Sequence, residues 1–321
     1  MSQPKTPSYG GQAVLEGVMF AGQKVNVTAV RRKNSELAFL EIPKEEIPWV
    51  QTLKKIPFVR GIVAILESSV KGTRHLNFSA DIFAEEEEGG EAKSKPKEPG
   101  FFERFGLVLG VAAVGILSFV ASKLIFTLVP MFVEQFLFYG LFSNYILHNL
   151  VEGVIKIVLL LGYLYAIGLT PPVKRLFMYH GAEHKVISAY EGGSDMSVAD
   201  VQKYSRLHYR CGSSFIVFTV IIGVIIYSFF DYHSWQERMM QRIILIPVVI
   251  GVSYEVLKFT NSVRALPILR YLGYPGLWLQ KLTTKEPDDS MVEVSLASFN
   301  RMMELDRELA AEQSVQPSYA S

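Results

Sequence analysis

Four long apolar runs are the strongest constraint on how this chain can fold. They cover approximately Leu107–Val129, Gly153–Leu169, Ser214–Phe230 and Ile243–Phe259. A helix needs roughly 17–25 residues to cross a hydrocarbon core of about 30 Å, so each run is long enough to span a membrane. The alternative, buried helices of a soluble protein, would need a very large globule to hide four such runs. We therefore predict a mainly α-helical membrane protein with about four transmembrane helices.

The basic residues between these runs predict the orientation in the membrane, because Lys and Arg accumulate in cytoplasmic loops. Residues 130–152 contain no Lys or Arg, whereas residues 170–213 contain six. The short segment 231–242 holds only Arg238 and Arg242. We therefore predict a multi-pass protein of the cell membrane, in contact with the lipid bilayer, with both termini and the 170–213 loop in the cytoplasm. The apolar segment 131–149 is either interfacial or inserted.

Composition and patterning divide the chain into four parts. They are a cytoplasmic α+β unit (1–84), a charged flexible linker (85–100), a membrane region with the cytoplasmic loop 170–213 (101–260), and a cytoplasmic C-terminal segment (261–321). In the first part, Lys24–Arg31 and Leu37–Ile42 have the apolar patterning of strands. An apolar stripe predicts a helix over Arg60–Arg74 that packs on those strands. In the last part, Ser290–Glu312 is typical of an amphipathic helix.

Charge and cysteine content exclude two classes of protein. The 32 basic and 31 acidic residues nearly balance, which gives no electrostatic footprint for a nucleic-acid partner. A single cysteine, Cys211, rules out an internal disulfide framework. That thiol is therefore free, buried or bound to a metal.

The segment from Thr170 to Gly193 carries the chemistry. Thr170 and two prolines are typical of a helix start, and Gly192 and Gly193 of its end. Within it, His180 and His184 are four residues apart, so both imidazoles project from one helix face and can hold one ion. Glu183 lies beside them, as in the H-x-x-E-H arrangement of some metallopeptidases, and is the candidate catalytic base.

Two histidines need at least a third protein ligand. The same loop supplies His208 and Cys211, whose spacing allows one turn to aim both at the ion. Two alternatives stay open: three histidines with Cys211 nearby and water in the open position, or a closed set of three histidines and Cys211. Glu191 and Glu16 are candidates for contacts around the ligands. The implied cofactor is zinc or a similar divalent metal.

Four ordered blocks resemble the bacterial YqhQ family of membrane proteins. They are GGQAVLEGVM (Gly10–Met19), YHGAEHKVISAYE (Tyr179–Glu191), RCGSSF (Arg210–Phe215) and PGLWLQKLTTKEPDD (Pro275–Asp289). Members of that family typically have a proline where this chain has Tyr209. The family is labelled as predicted metal-dependent enzymes, so the resemblance implies a membrane location and a metal but no established reaction.

Two functions follow from these observations. The first is a membrane-embedded, zinc-type hydrolase that acts at the cytoplasmic face on a membrane protein or a lipid. The second is a non-enzymatic factor for membrane assembly, insertion or transport, in which the metal only holds the cytoplasmic loop. Both require an unknown membrane-associated substrate or protein partner.

Overall fold

A computed structural model of the chain describes residues 9–45, 47–87, 117, 121–122, 124–141 and 143–315. The strands are β1 (Gly10–Val14), β2 (Gly17–Ala21), β3 (Val25–Arg31) and β4 (Leu37–Pro43). The helices are α1 (Pro48–Leu53), α2 (Val59–Glu87), α3 (Leu124–Phe138), α4 (Tyr145–Gly168), α5 (Pro171–Glu191), α6 (Val198–Gln202), α7 (Ser214–Tyr227), α8 (Trp235–Ile244), α9 (Ile246–Ser262), α10 (Tyr274–Thr283) and α11 (Asp289–Val315). A 3-10 turn, Leu269–Gly273, precedes α10.

The N-terminal strands form one antiparallel sheet in the order β1-β2-β3-β4. Alternation along β3 gives the sheet two buried faces. Val27 and Ala29 join the core shared with α5 and α11, whereas Thr28 points to α2, where its hydroxyl contacts Nδ1 of His75 at 2.6 Å. The predicted strands in 24–31 and 37–42 are confirmed as β3 and β4, and the predicted packing of the helix after Arg60 on the sheet is also confirmed.

Helix α11 connects the end of the chain to its beginning. Phe299 packs edge-on against Phe20 of β2 with ring centroids 5.1 Å apart. Asp306 accepts hydrogen bonds from the backbone N–H groups of Lys24 (2.7 Å) and Val25 (3.2 Å) in the β2–β3 turn. The bounds of α11 confirm the predicted helix over 290–312. Its contacts make it part of the hydrophobic core. The sheet is therefore held between α2 on one side and α5 with α11 on the other.

The prediction of about four transmembrane helices is wrong. Among the described residues, one helix, α4, is long and apolar enough to cross a membrane. Helices α8 and α9 bring the number to two only if they are taken together as one broken span, because their axes are bent by 50°. Most of the first apolar run lies outside the described residues, and its end forms the start of α3. The predicted linker 85–100 also lies outside them, apart from the end of α2.

Helix boundaries explain the correction. The third apolar run gives α7, which has 14 residues and is therefore about 21 Å long, shorter than a hydrocarbon core. In the fourth run Pro247 stands at the start of α9 and cannot donate a backbone hydrogen bond to the preceding turn. Segment 131–149 divides between the end of α3 and the start of α4. Hydropathy identifies the apolar residues of these runs, but it does not predict the residue at which each helix ends.

The sequence indicated that the basic residues of segment 231–242 lie in a loop, but the structure places them in a helix. Arg238 and Arg242 belong to α8 and are fully buried. Nη2 of Arg238 and Nη2 of Arg242 each lie 2.8 Å from Oε2 of Glu152 in α4, and Arg238 also pairs with Glu134 of α3. Glu134 in turn contacts Nδ1 of His148. We call these residues the buried charge cluster.

Replacing Glu152 with Gln should destabilise the fold strongly. The substitution leaves two buried guanidinium groups with one remaining carboxylate, and breaking a buried ion pair in this way costs about 3–5 kcal/mol. Thermal unfolding in detergent, followed by circular dichroism, measures the loss. The matched control is Glu293→Gln, which removes an exposed pair with Arg31 (3.0 Å) and should cost less than about 1 kcal/mol. Equal losses for the two variants would contradict the importance of the buried charge cluster.

Candidate metal centre

Helix α5 presents His180, Glu183 and His184 toward the sheet and the 208–213 turn. The four-residue spacing places the two imidazoles edge to face, and their ring centroids are 4.5 Å apart. Glu183 and His184 are buried, and His180 is partly buried. The helix runs from Pro171 to Glu191, so the prediction of a helix between Thr170 and Gly193 is confirmed.

Residues 284–288, which follow α10, form a strap that crosses α5 at Gly181. Lys285 donates its backbone N–H to the carbonyl oxygen of Phe177 at 2.8 Å. A Cβ atom at Gly181 would overlap the carbonyl oxygen of Lys285, so only glycine permits this approach. The crossing brings the carbonyl oxygen of Thr283 to 2.8 Å from Nδ1 of His180.

Backbone carbonyl groups fix the tautomers of both histidines. His184 makes the equivalent contact, with its Nδ1 2.6 Å from the carbonyl oxygen of Arg206. A carbonyl oxygen can only accept, so each Nδ1 must carry the proton and each Nε2 keeps its lone pair. Metal-binding histidines are commonly oriented in this way by their second nitrogen.

Cys211 completes a group of three ligands. Its Sγ lies 3.3 Å from Nε2 of His180 and 3.1 Å from Oγ of Ser213. One donor atom from each of His180, His184 and Cys211 falls within 4.8 Å of the other two. Ligands of a tetrahedral zinc ion are about 3.5 Å apart, as its bond lengths of 2.0–2.3 Å require. Two imidazoles and a thiol with this separation suit zinc or a similar borderline-soft ion.

His208 lies next to this group and is turned away from it. Its Nδ1 accepts the backbone N–H of Arg210 at 3.4 Å, and its Nε2 lies 3.5 Å from Oε2 of Glu191. Its ring centroid is 5.9 Å from that of His184. The side-chain amide of Gln280 fixes its backbone, since Oε1 accepts the His208 N–H at 2.8 Å and Nε2 donates to the His208 carbonyl oxygen at 2.7 Å. Of the four predicted ligands, the structure brings three together.

Burial controls the charge state of the imidazoles. It lowers the pKa of His184, although contact with Cys211 partly opposes the shift. Burial also lowers the pKa of His208 to about 4, and the positive charge of Arg264 adds to this effect. Both rings are therefore neutral near pH 7. Neutral imidazole is the form that binds a metal ion.

Glu183 occupies the cavity wall between the histidines and β1. Burial raises the pKa of its carboxyl, and His180, His208 and the backbone N–H of Gly11 oppose that rise. A Cβ atom at Gly11 would come within 3.0 Å of Cγ of Glu183 and would clash with the carbonyl oxygen of Met19, so glycine allows the strand to pass close to the carboxylate. This carboxylate faces the same cavity as the three ligands.

The two outer acids behave differently. Glu191 pairs with Arg210 and contacts His208, so it acts on the ligand turn and not on the ligands of α5. Glu16 lies in the β1–β2 turn, where its carboxylate binds Arg175 at 2.5 Å and accepts from the hydroxyl of Tyr179 at 3.4 Å. Glu16 does not line the cavity. The structure therefore places it apart from the ligands.

The cavity has a volume of about 320 Å³ and lies between β1, α5 and the 208–213 turn. Several groups that orient the candidate site residues were not identified from the sequence. The carbonyl groups of Thr283 and Arg206 and the N–H of Gly11 are backbone groups, so no residue type signals them. Gln280 had a signal, since it falls in the Pro275–Asp289 block, but its pairing with His208 depends on how α10 packs.

Comparison with known proteins assigns the family of this mainly helical protein with its histidine and cysteine cluster. Residues 56–305 match the family described as "Protein of unknown function (DUF1385)". The chain is 48% identical over 323 residues to the "Uncharacterized protein YqhQ" of Bacillus subtilis (strain 168), with 99% of each chain covered. No solved structure matches. The chain belongs to the YqhQ family, as the four sequence blocks predicted.

Metal analysis of purified variants should separate the three clustered ligands from His208. We expect the wild type to bind a divalent ion and His180→Ala, His184→Ala and Cys211→Ser to lose it, because each removes one of three candidate donors. His208→Ala should retain it. In the cobalt-substituted protein, a sulfur-to-cobalt charge-transfer band should be present and should vanish in Cys211→Ser. Loss of metal from His208→Ala with retention in Cys211→Ser would favour three histidine ligands instead.

Gly181→Ala should weaken metal binding without touching a ligand. The added methyl group displaces the strap and breaks the contact between Thr283 and His180, and loss of such an orienting hydrogen bond typically reduces metal affinity 10–100-fold. Competition with a chromophoric chelator measures the change. Gly162→Ala in α4 is the matched control, because its new Cβ meets no atom within 4 Å. Unchanged affinity in Gly181→Ala would show that the strap does not orient His180.

Proposed function

We propose that the protein is a metal-dependent hydrolase, with His180, His184 and Cys211 as ligands and Glu183 as the proton-transfer group. The observation that supports this most is the pair of carbonyl contacts that leave both Nε2 lone pairs directed at Cys211. Three protein ligands leave a fourth position open for a reactant, which is the arrangement of catalytic zinc sites. The cavity beside the ligands provides the room.

The residues of the chain divide the chemistry between them. A divalent cation held by the three ligands would act as a Lewis acid on the carbonyl or phosphoryl oxygen of a substrate. Glu183 would accept a proton from the attacking water and deliver it to the leaving group. The water oxygen forms a bond to the carbonyl carbon or the phosphorus atom of the substrate, and the bond from that atom to the leaving group breaks. No electron acceptor is needed.

The proposed location is the cell membrane, with the site at the cytoplasmic face. Helix α4 exposes a series of apolar side chains, including Val154, Val158, Leu159 and Tyr163, and lipid is the natural solvent for such a surface. The basic residues around the site, among them Lys174 and Arg206, follow the preference for the cytoplasmic side. A substrate at this position is a membrane-protein segment or a lipid headgroup.

A structural metal in an assembly, insertion or transport factor is the second candidate. The observation in its favour is His208, whose buried Nε2 makes no hydrogen bond to any described residue. Rotation of this ring toward the ion would provide a fourth ligand and close the site. In that case Glu183 would have no proton to transfer.

Glu183→Gln should abolish function while leaving metal and fold intact. The amide keeps the size of the side chain but cannot accept the proton, so the variant should fail to restore growth to a gene-deletion strain under conditions where that strain is impaired. Glu16→Gln is the matched control and should restore growth, because its side chain lies outside the cavity. Full restoration by Glu183→Gln would identify a structural site. Loss of metal would make Glu183 a ligand or an orienting group.

A further inference from the structure

The open edge of strand β1 borders the candidate metal centre. Five consecutive residues, 9–13, line the cavity that contains His180, Glu183 and Cys211. Side chains of a strand alternate between two faces, so consecutive residues can all line a cavity only when the edge of the strand faces it. β1 is the first strand in the order β1-β2-β3-β4, and among the residues that the structure describes it pairs with β2 alone.

The direction of the backbone groups agrees with this placement. Val14 and Gly17 close the two-residue turn as a hydrogen-bonded pair, so Gly11, at an alternate position of the ladder, directs its N–H away from β2. In an antiparallel strand, residues two apart direct their backbone groups to the same side, and Ala13 therefore presents its N–H and carbonyl at the same edge. Within the described part of the chain, Tyr9–Ala13 make no backbone pairing outside the sheet ladder. Because the carboxyl of Glu183 lies against Gly11, Ala13 is the residue of β1 whose outward N–H and carbonyl a further strand can pair with.

A second, larger cavity continues from this edge. It has a volume of about 820 Å³ and shares Gln12, Arg210 and Gly212 with the metal cavity. Its walls are formed by α2, α9 and the start of α7 and carry apolar side chains such as Ile65, Phe215 and Leu257. Among the described residues that line it, Lys258 and Arg210 are charged and none is acidic. It therefore disfavours a cationic ligand and offers apolar contacts together with polar ones.

We propose that the substrate is an extended, apolar polypeptide segment that pairs with the open edge of β1, so that the enzyme is an endopeptidase. This inference rests on the proposed hydrolase function and specifies its substrate. Addition of a strand gives affinity through backbone hydrogen bonds, and a neighbouring groove selects the side chains. A lipid could fill the groove but has no row of amides for the edge of β1.

Peptide cleavage in this arrangement needs water as its co-reactant and no oxidant or reductant. The water oxygen forms a bond to the carbonyl carbon of the substrate peptide, and the carbon–nitrogen bond breaks. Glu183 carries one proton from the water to the departing amine. Because Gly11 lies both on the pairing edge and against Glu183, a paired peptide would pass directly beside this carboxylate.

The experiment uses the full chain in detergent micelles, loaded with zinc, and a fluorescein-labelled ten-residue peptide with Val or Leu at alternate positions. Binding to the Glu183→Gln variant is measured by fluorescence anisotropy, so no turnover is required. We expect the peptide to bind and a version with alternate amides N-methylated to bind about tenfold more weakly or worse, since each methyl removes a backbone donor. The wild type should cleave the unmethylated peptide, as judged by mass spectrometry.

Ala13→Pro tests the edge from the side of the protein. Proline removes the outward N–H at a position where an edge strand tolerates it. Peptide binding should fall by about the same factor, while metal content and the unfolding midpoint stay near those of the wild type. Ala13→Ser keeps the N–H, so its peptide binding should exceed that of Ala13→Pro. If Ala13→Pro does not fold, the methylated peptide still decides the question.

The outcomes separate this inference from the proposed function. Equal binding of methylated and unmethylated peptides, or no peptide binding, would overturn the endopeptidase. Hydrolysis of vesicles of phosphatidylethanolamine and phosphatidylglycerol by the wild type, but not by Glu183→Gln, would also overturn it and leave the hydrolase standing. If Glu183→Gln restores growth in the deletion strain and nothing is hydrolysed, both proposals fail.

Discussion

The crossing of the 284–288 strap over α5, directly after Thr283 at the end of α10, is the contact on which the candidate site depends. It is possible only because Gly181 has no side chain, and it supplies the carbonyl that orients His180. The same strap holds the other half of the site. The side chain of Arg206 donates to the carbonyl oxygen of Thr284 at 2.6 Å. The backbone carbonyl of Arg206 in turn orients His184. One extended segment thus fixes both imidazoles through backbone groups.

The strap also ties the sheet to the helices. Lys185 of α5 pairs with Glu286 at 3.0 Å, and α11 begins directly after the strap and packs on β2 and β3. β1 is then held against α5, where Gly11 meets Glu183. Residues from the beginning, middle and end of the chain therefore meet at one cavity. Such an arrangement places a carboxylate, three candidate ligands and a strand edge on packed elements of the fold.

The sequence was informative where the signal was local. The spacing of His180 and His184 predicted a shared helix face, and the apolar patterning of 24–42 predicted strands; the structure has both. It was not informative where packing decides. His208 and Cys211 stand in the same turn, and their spacing does not show which of them faces the α5 histidines. In the structure Cys211 contacts His180, whereas His208 contacts Gln280 and Glu191. Arg238 and Arg242 look like loop charges until their acids on α3 and α4 are in place.

Helix α7 shows why apolar composition alone predicted too many spans. At its first residue, Ser214, the hydroxyl accepts from the amide of Gln280, which also holds the backbone of His208 beside the candidate metal centre. At its last residue, Tyr227, the carbonyl accepts from Asn149 at 3.2 Å and the ring lies 3.9 Å from the guanidinium of Arg242, in the buried charge cluster. Both ends are thus fixed by polar partners about 21 Å apart, given the rise of 1.5 Å per residue. The length of α7 follows from the distance between two polar sites, and its apolar side chains fill the space between them.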